Sequence, residues 1–179
     1  ARRPRALPRQ APVPLRMPQP NLWPFPVSLP ARDRFPLTLW ARLVAKHAKQ
    51  LTIAEMAYGA AAGHAPLRRA VADYLRTSRA VRCETSDVLI VSGSQMALQI
   101  CALALLGRGT TVCIEEPGYP GARDALTRAG ARIVPVSVDE EGIDVEKIGR
   151  NVRAVYVTPS HQYPLGMSMT ASRRLALLE

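Results

Sequence analysis

The chain is short of cysteine, of lysine and of long apolar runs, and each shortage narrows what it can be. Cys83, Cys101 and Cys113 are the only cysteines in 179 residues. Their number is odd and their spacing is no metal pattern, which argues against a disulfide framework. Cys101 and Cys113 stand in apolar runs and are expected to be buried, reduced thiols. That usage fits a reducing, cytoplasmic compartment. No apolar run is long enough to span a bilayer, so no membrane partner is expected. No apolar signal core follows the basic N-terminal residues, so no secretion signal is expected. His47, His64 and His161 lack ligand spacing, and no metal-binding residue is assigned. Spacing alone supports no Ser/His/Asp triad.

Arginine and proline are plentiful. Lys+Arg 24 against Asp+Glu 14 gives a formal net charge of +10, almost all of it from arginine because the lysines are only Lys46, Lys49 and Lys147. Such an excess reads equally as contact with a polyanion or as a compositional bias of the genome. Residues 1–20 interleave arginines with Pro4, Pro8, Pro12, Pro14, Pro18 and Pro20, a linker that favours extended polyproline geometry. Residues 21–86 read as an N-terminal arm followed by helices. Leu22, Trp23, Phe25, Val27, Leu29 and Phe35 lie on the arm. One helix is expected to open at Pro36, with Leu37, Trp40, Leu43, Val44 and His47 on one side. A second opens at Pro66, with Leu67, Ala70, Val71, Tyr74 and Leu75 inside and Arg68, Arg69, Asp73 and Arg76 outside. The chain begins at Ala1 rather than Met and stops inside an expected helix, so it reads as a fragment or a truncated product.

Residues 87–179 carry the organising pattern. Asp87-Val88-Leu89-Ile90-Val91 reads as a strand, Ser92-Gly93-Ser94-Gln95 as a tight turn, and the run to Leu106 as a helix. Thr111-Val112-Cys113-Ile114 is the next strand, closed by a turn from Glu115 to Pro120. A helix to about Ala129, a strand at residues 132–136 with Pro135 at an edge or end, a turn at residues 139–142 and a strand at residues 154–157 follow. A helix starting at Thr170 or Ser172 closes the chain. Strands alternating with helices predict an α/β fold with a mostly parallel sheet flanked by helices. Ligands on such sheets sit beyond the carboxyl ends of the strands. The turns at Ser92, Glu116 and Pro159 all fall there.

Each turn has a plain and a chemical reading. Ser92 and Gln95 have the spacing of a capping box. Alternatively, Gly93 lets the backbone turn closely while the amides of Ser94 and Gln95 and the Ser94 hydroxyl hold a phosphate. Tyr119 either packs into the core or stacks on a flat heteroaromatic ligand. Residues 158–164, Thr-Pro-Ser-His-Gln-Tyr-Pro, form a dense polar loop.

These motifs together resemble fold-type-I pyridoxal-phosphate aminotransferases, and more closely the MocR branch of the bacterial GntR-type regulators. The resemblance runs from about Leu22 to the end. It is carried by Leu29-Pro30-Ala31-Arg32-Asp33-Arg34-Phe35-Pro36 with Trp40, by Pro66-Leu67-Arg68, by Tyr74-Leu75-Arg76-Thr77-Ser78-Arg79, and by the three turns. It implies the N-terminal half of the PLP-binding domain, with residues 87–179 as the incomplete first part of its large domain. It implies pyridoxal 5'-phosphate as cofactor of the intact protein, bound through Gly93, Ser94 and Gln95, with Tyr119 on its ring. The same resemblance implies a DNA-binding transcription regulator that senses an amine, an amino acid or a B6 vitamer. Its DNA-reading winged-helix domain would precede Ala1, and the intact protein would be a homodimer. Tyr163 stands where catalytic members have Asn, as in the regulator branch. Ala60, Ala61 and His64 depart from the family near the substrate, and Ala80 replaces a usual Gly, so a left-handed turn there would be strained. The family's cofactor lysine, its acidic partner and its substrate arginine are expected after Glu179, so no catalytic residue is assigned here. The alternatives are a catalytic class I/II aminotransferase and an inactive truncated product.

Overall fold

Val112, Cys113 and Ile114 form the middle of strand β1 (Thr111–Glu116), where four consecutive residues, through Glu115, are buried. A strand buried on both faces reads as a continuous run rather than as an alternation. The computed structural model of the chain describes residues 30–179, so the expected linker and most of the arm lie outside the described residues. β1 pairs in parallel with β2 (Arg132–Asp139) on one side and with β4 (Ala154–Tyr156) on the other. A short β3 (Gly142–Ile143) adds antiparallel to β2, giving the order β3-β2-β1-β4. Pro135 lies within β2, where β3 does not reach, so its missing N–H costs no ladder bond on that flank.

The chain divides into two compact units, Ala1–Leu37 and Thr38–Glu179. The described part of the first holds a 3-10 turn at Arg32–Arg34. In the second, helices α3 (Ser94–Leu105) and α4 (Pro120–Arg128) cover one face of the sheet. Ala102, Leu106, Val112, Ile114 and Leu126 make the core of that face. On the other face Cys113, Val136, Ile143 and Met169 are packed by Val134, Val155, Val157 and Leu177, the last at the end of α5 (Ala171–Ala176). Thr170 caps α5, its hydroxyl accepting from Arg173 N, as its type predicts. The α/β, mostly parallel architecture is the one the alternation of elements encodes.

Several local expectations are corrected. Residues 88–91 form no strand. Their polar groups turn elsewhere: Ile90 N donates to Ala62 O at 3.0 Å, and Val88 O accepts from Arg68 Nε at 2.7 Å. Arg68 therefore faces inward from α2 (Ala65–Arg79), and its Nη2 also reaches Thr85 O at 2.8 Å. The fully buried residue of α2 is Ala72, while Leu67 and Tyr74 are exposed. Helix α1 (Leu37–Ala48) forms where expected, yet none of its residues is buried. Cys101 is exposed too, because α3 is apolar all round and turns Cys101, Leu103 and Leu105 outward. Cys113 is buried, and desolvation pushes its thiol pKa up.

Ala80 ends α2 in the left-handed region, at φ 52° and ψ 27°. An L side chain there costs roughly 1–2 kcal/mol, partly offset for glycine by its greater freedom in the unfolded chain. Ala80→Gly is expected to raise the stability of the 179-residue chain by about 0.5–1 kcal/mol in urea denaturation, and a lowered midpoint would contradict this.

Candidate cofactor site

The site is built at the carboxyl end of β1. Gly93 precedes α3 at φ 127°, a conformation that favours glycine, and a Cβ there would meet nothing within 4 Å. The expected capping box does not form. Gly93 is the N-cap, no side chain caps the helix, and Gln95 Nε2 donates instead to Gly121 O at 2.9 Å. Gln95 is drawn away because α4 starts beside it. The first-turn amides of α3 therefore carry no side-chain acceptor, and Ser94 is exposed beside them. Unsatisfied amides at a helix start favour an anion.

Tyr119 reaches the same place from the other turn. It is the N-cap of α4, with Pro120 fixing the first helical residue. A Cβ on Gly121 would lie 2.5 Å from Gln95 Oε1 and 2.7 Å from both Cζ and OH of Tyr119. Gln95 and Tyr119 thus close on one point, and a side chain at position 121 would displace their ends. Gly93, Ser94, Gln95 and Tyr119 are brought to one end of the sheet. The Tyr119 ring is half-buried and meets Tyr163 edge to face, with centroids 5.5 Å apart and planes at 73°. Burial first, then the nearby Tyr119 and Glu115, raises the pKa of the Tyr156 phenol.

A buried carboxylate fastens the two tyrosine-bearing turns together. Glu115 is 1% exposed. Its Oε2 accepts from Thr158 Oγ1 at 2.6 Å and from Gln162 Nε2 at 3.4 Å, and its Oε1 accepts from Thr158 N at 3.2 Å. Gln162 Nε2 also donates to Pro117 O at 2.8 Å, while Tyr163 N donates to Thr158 Oγ1 at 3.1 Å. Glu116 pairs with Arg123 of α4 on the outer side. Sequence reasoning named these residues as turns but not as a fastener. The available signal was a carboxylate continuing a buried apolar strand.

Other candidates form no bond to Ser94, Gln95 or Tyr119. Lys46 lies on α1 and Lys49 just after it, while Lys147 pairs with Asp144 at 2.9 Å and donates to Ser137 Oγ at 3.0 Å. His161 is exposed. No group of three His, Cys, Asp or Glu side chains suited to a metal occurs among the described residues. No helix among them is long and apolar enough to cross a membrane. A cavity of about 650 Å³ lies by β4, lined by Val155, Val157, Leu177 and neighbours, away from the Tyr119 turn.

Comparison with known proteins gives this geometry a context. Residues 34–173 match the model of the aminotransferase class I and II family. A probable rhizopine catabolism regulatory protein, MocR of Rhizobium meliloti, is 42% identical over 151 residues, covering 84% of this chain and 31% of that protein. The uncharacterized HTH-type transcriptional regulator YdeL of Bacillus subtilis is 37% identical over 146 residues, covering 81% and 31%. Among solved structures, LysN, an α-aminoadipate aminotransferase from Thermus thermophilus complexed with N-(5'-phosphopyridoxyl)-L-leucine, superposes with a TM-score of 0.72 at 33% identity, covering 84% and 38%. The chain thus spans about a third of the length of these relatives.

Glu115→Ala leaves the Thr158 hydroxyl and the Gln162 amide buried beside an empty place, at a cost of about 2–3 kcal/mol. Urea denaturation is expected to show that loss together with a weakened near-ultraviolet circular dichroism signal from the tyrosines. A variant as stable as the parent chain would show that the fastener carries no weight.

Proposed function

The chain belongs to the aminotransferase class I and II family, and on that premise we propose that it is part of the effector domain of a MocR-type, DNA-binding transcription regulator. The intact protein binds pyridoxal 5'-phosphate and senses an amine, an amino acid or a B6 vitamer through it. One observation carries the cofactor reading: Gln95 and Tyr119 close on the same point above Gly121, beside the uncapped start of α3. The regulator reading is supported by the two regulators described above.

The residues present fit the cofactor's two ends. The amides of Ser94 and Gln95 and the exposed Ser94 hydroxyl receive the phosphate, with the open surface over Gly93 admitting its oxygens. Tyr119 offers a ring face for the pyridine, steadied at its edge by Tyr163. Glu115, Thr158 and Gln162 hold both turns at fixed separation. When bound, the group supplies an aldehyde that combines with amines and an electron-withdrawing ring. Lys147 is bonded to Asp144 and Ser137, and the site residues named here bind and orient the cofactor. The exposed apolar side chains of Leu43, Val44, Leu103 and Leu105 are offered to a second copy in a homodimer.

A catalytic aminotransferase is the second reading, favoured by the likeness to LysN. Tyr163, where the resemblance implies Asn in catalytic members, weighs against it. A transamination assay on the full-length protein separates the two.

In the full-length protein, Tyr119→Ala is expected to weaken PLP affinity about 2–10-fold, from a ring contact of roughly 0.5–1.5 kcal/mol. Ser94→Ala should cost about 10-fold or more, as for a hydrogen bond to a charged group. Absorbance titration reads both, and unchanged affinities contradict the assigned roles. The 179-residue chain alone should retain little or no PLP after dialysis. A stoichiometric adduct that borohydride fixes to Lys46, Lys49 or Lys147 would overturn that.

A further inference from the structure

The opposite edge of the sheet, at the amino ends of the strands, is rich in exposed arginine. Three loops meet there, at residues 106–110, 129–131 and 149–153, and backbone bonds lace them together. Gly109 N donates to Gly130 O at 2.8 Å, Arg132 N to Thr110 O at 2.8 Å, and Arg153 N to Thr111 O at 2.9 Å. Arg108, Arg128, Arg132, Arg150 and Arg153 surround this seam, and all are exposed. Arg132, paired with Thr111 on β2, and Arg153, just before β4, flank Thr111 from its two sides, about 10 Å apart. No acidic residue occurs within residues 105–115 before Glu115, within 125–138, or within 147–178.

Among the described residues these arginines form no ion pair and no side-chain hydrogen bond, in contrast to several others. Arg34, Arg76, Arg123 and Arg173 are in ion pairs. Arg68 and Arg174 donate to backbone carbonyls. Arg69, Arg79 and Arg82 are also unpaired but share their stretch with Asp73, Glu84 and Asp87, while Arg42 stands alone on α1. Asp124 lies one turn before Arg128, and Glu179 lines the same cavity as Arg153, yet neither forms an ion pair with it. The fold gathers five of these unpaired cations on one edge.

We propose that this arginine edge is a phosphate-backbone contact surface for duplex DNA, so that the effector domain itself touches DNA on the side of the sheet opposite the cofactor turns. Guanidinium forks suit phosphate oxygens, and the five arginines outnumber the two acids near them, Asp124 and Glu179. The choice of DNA rests on the regulator reading above. The cofactor reading is measured by PLP absorbance and this one by DNA binding, so either can fail alone.

The test is the salt dependence of binding of the 179-residue chain to a random-sequence DNA duplex, read by fluorescence anisotropy. Each phosphate contact contributes about 0.9 to the slope of log affinity against log salt. Replacing Arg108, Arg132 and Arg153 together by Ala should lower the slope by about 2–3 and weaken binding at low salt. The corresponding triple Lys variant should restore most of it. Should the triple Ala variant fail to melt cooperatively by circular dichroism, the single Arg153→Glu variant carries the test, with a slope change of about 1 or more expected. A matched variant with Arg42, Arg69 and Arg79 replaced by Ala should change the slope much less. Equal losses in the two triple variants would reduce the effect to net charge and overturn the proposal. So would an unchanged slope, or binding of poly-glutamate as tight and as sensitive to the same substitutions, which would mark the edge as a site for an acidic protein.

Discussion

The carboxylate of Glu115 is the contact on which the site depends. It stands next to last in the central strand, at a depth where an unpaired charge would be prohibitive. Its oxygens are supplied by the hydroxyl and amide of Thr158 and by the Gln162 side chain. Those donors belong to the loop after the neighbouring strand. The turn after β1 and the turn after β4 are therefore one polar unit, and neither can move off without stranding a buried group. Gln162 extends the unit to the carbonyl of Pro117, two residues before Tyr119.

From that unit outward, each element has one task. Pro120 starts α4 so that Gly121 lies under the Tyr119 ring, and Gln95 reaches across from α3 to the Gly121 carbonyl. The apolar layer of Ala102, Leu106, Ile114 and Leu126 beneath α3 and α4 keeps that reach constant. The carboxyl edge of the sheet is thus closely hydrogen-bonded and aromatic, while the amino edge is exposed and cationic. One domain can in this way present chemically different surfaces at its two ends.

The sequence made much of this legible. The alternation of elements gave the parallel sheet, and β1 and β2 were read to within a few residues at their ends. The left-handed turn at Ala80 was signalled only by the resemblance, which implies a Gly there. The errors have physical causes. Residues 88–91 have the β-branched content of a strand, but a strand exists only with a neighbour, and Arg68 and Ala62 take the groups a ladder would use. Ser92 and Gln95 have capping-box spacing, yet the competing Gly121 carbonyl is remote in sequence. Cys101 was misplaced because a helix apolar on all sides hides which side faces the sheet. The joining of Glu115 to Gln162, 47 residues later, was beyond any local pattern.

The central claim is that the two turns grip one cofactor. Isotope-labelled full-length protein titrated with PLP, observed by amide and tyrosine-ring NMR, tests it most directly. The account predicts that the amides of Ser94 and Gln95 and the ring of Tyr119 shift together with a single affinity, while residues at the amino ends of the strands stay in place. Shifts at only one turn, or different affinities at the two, would contradict it.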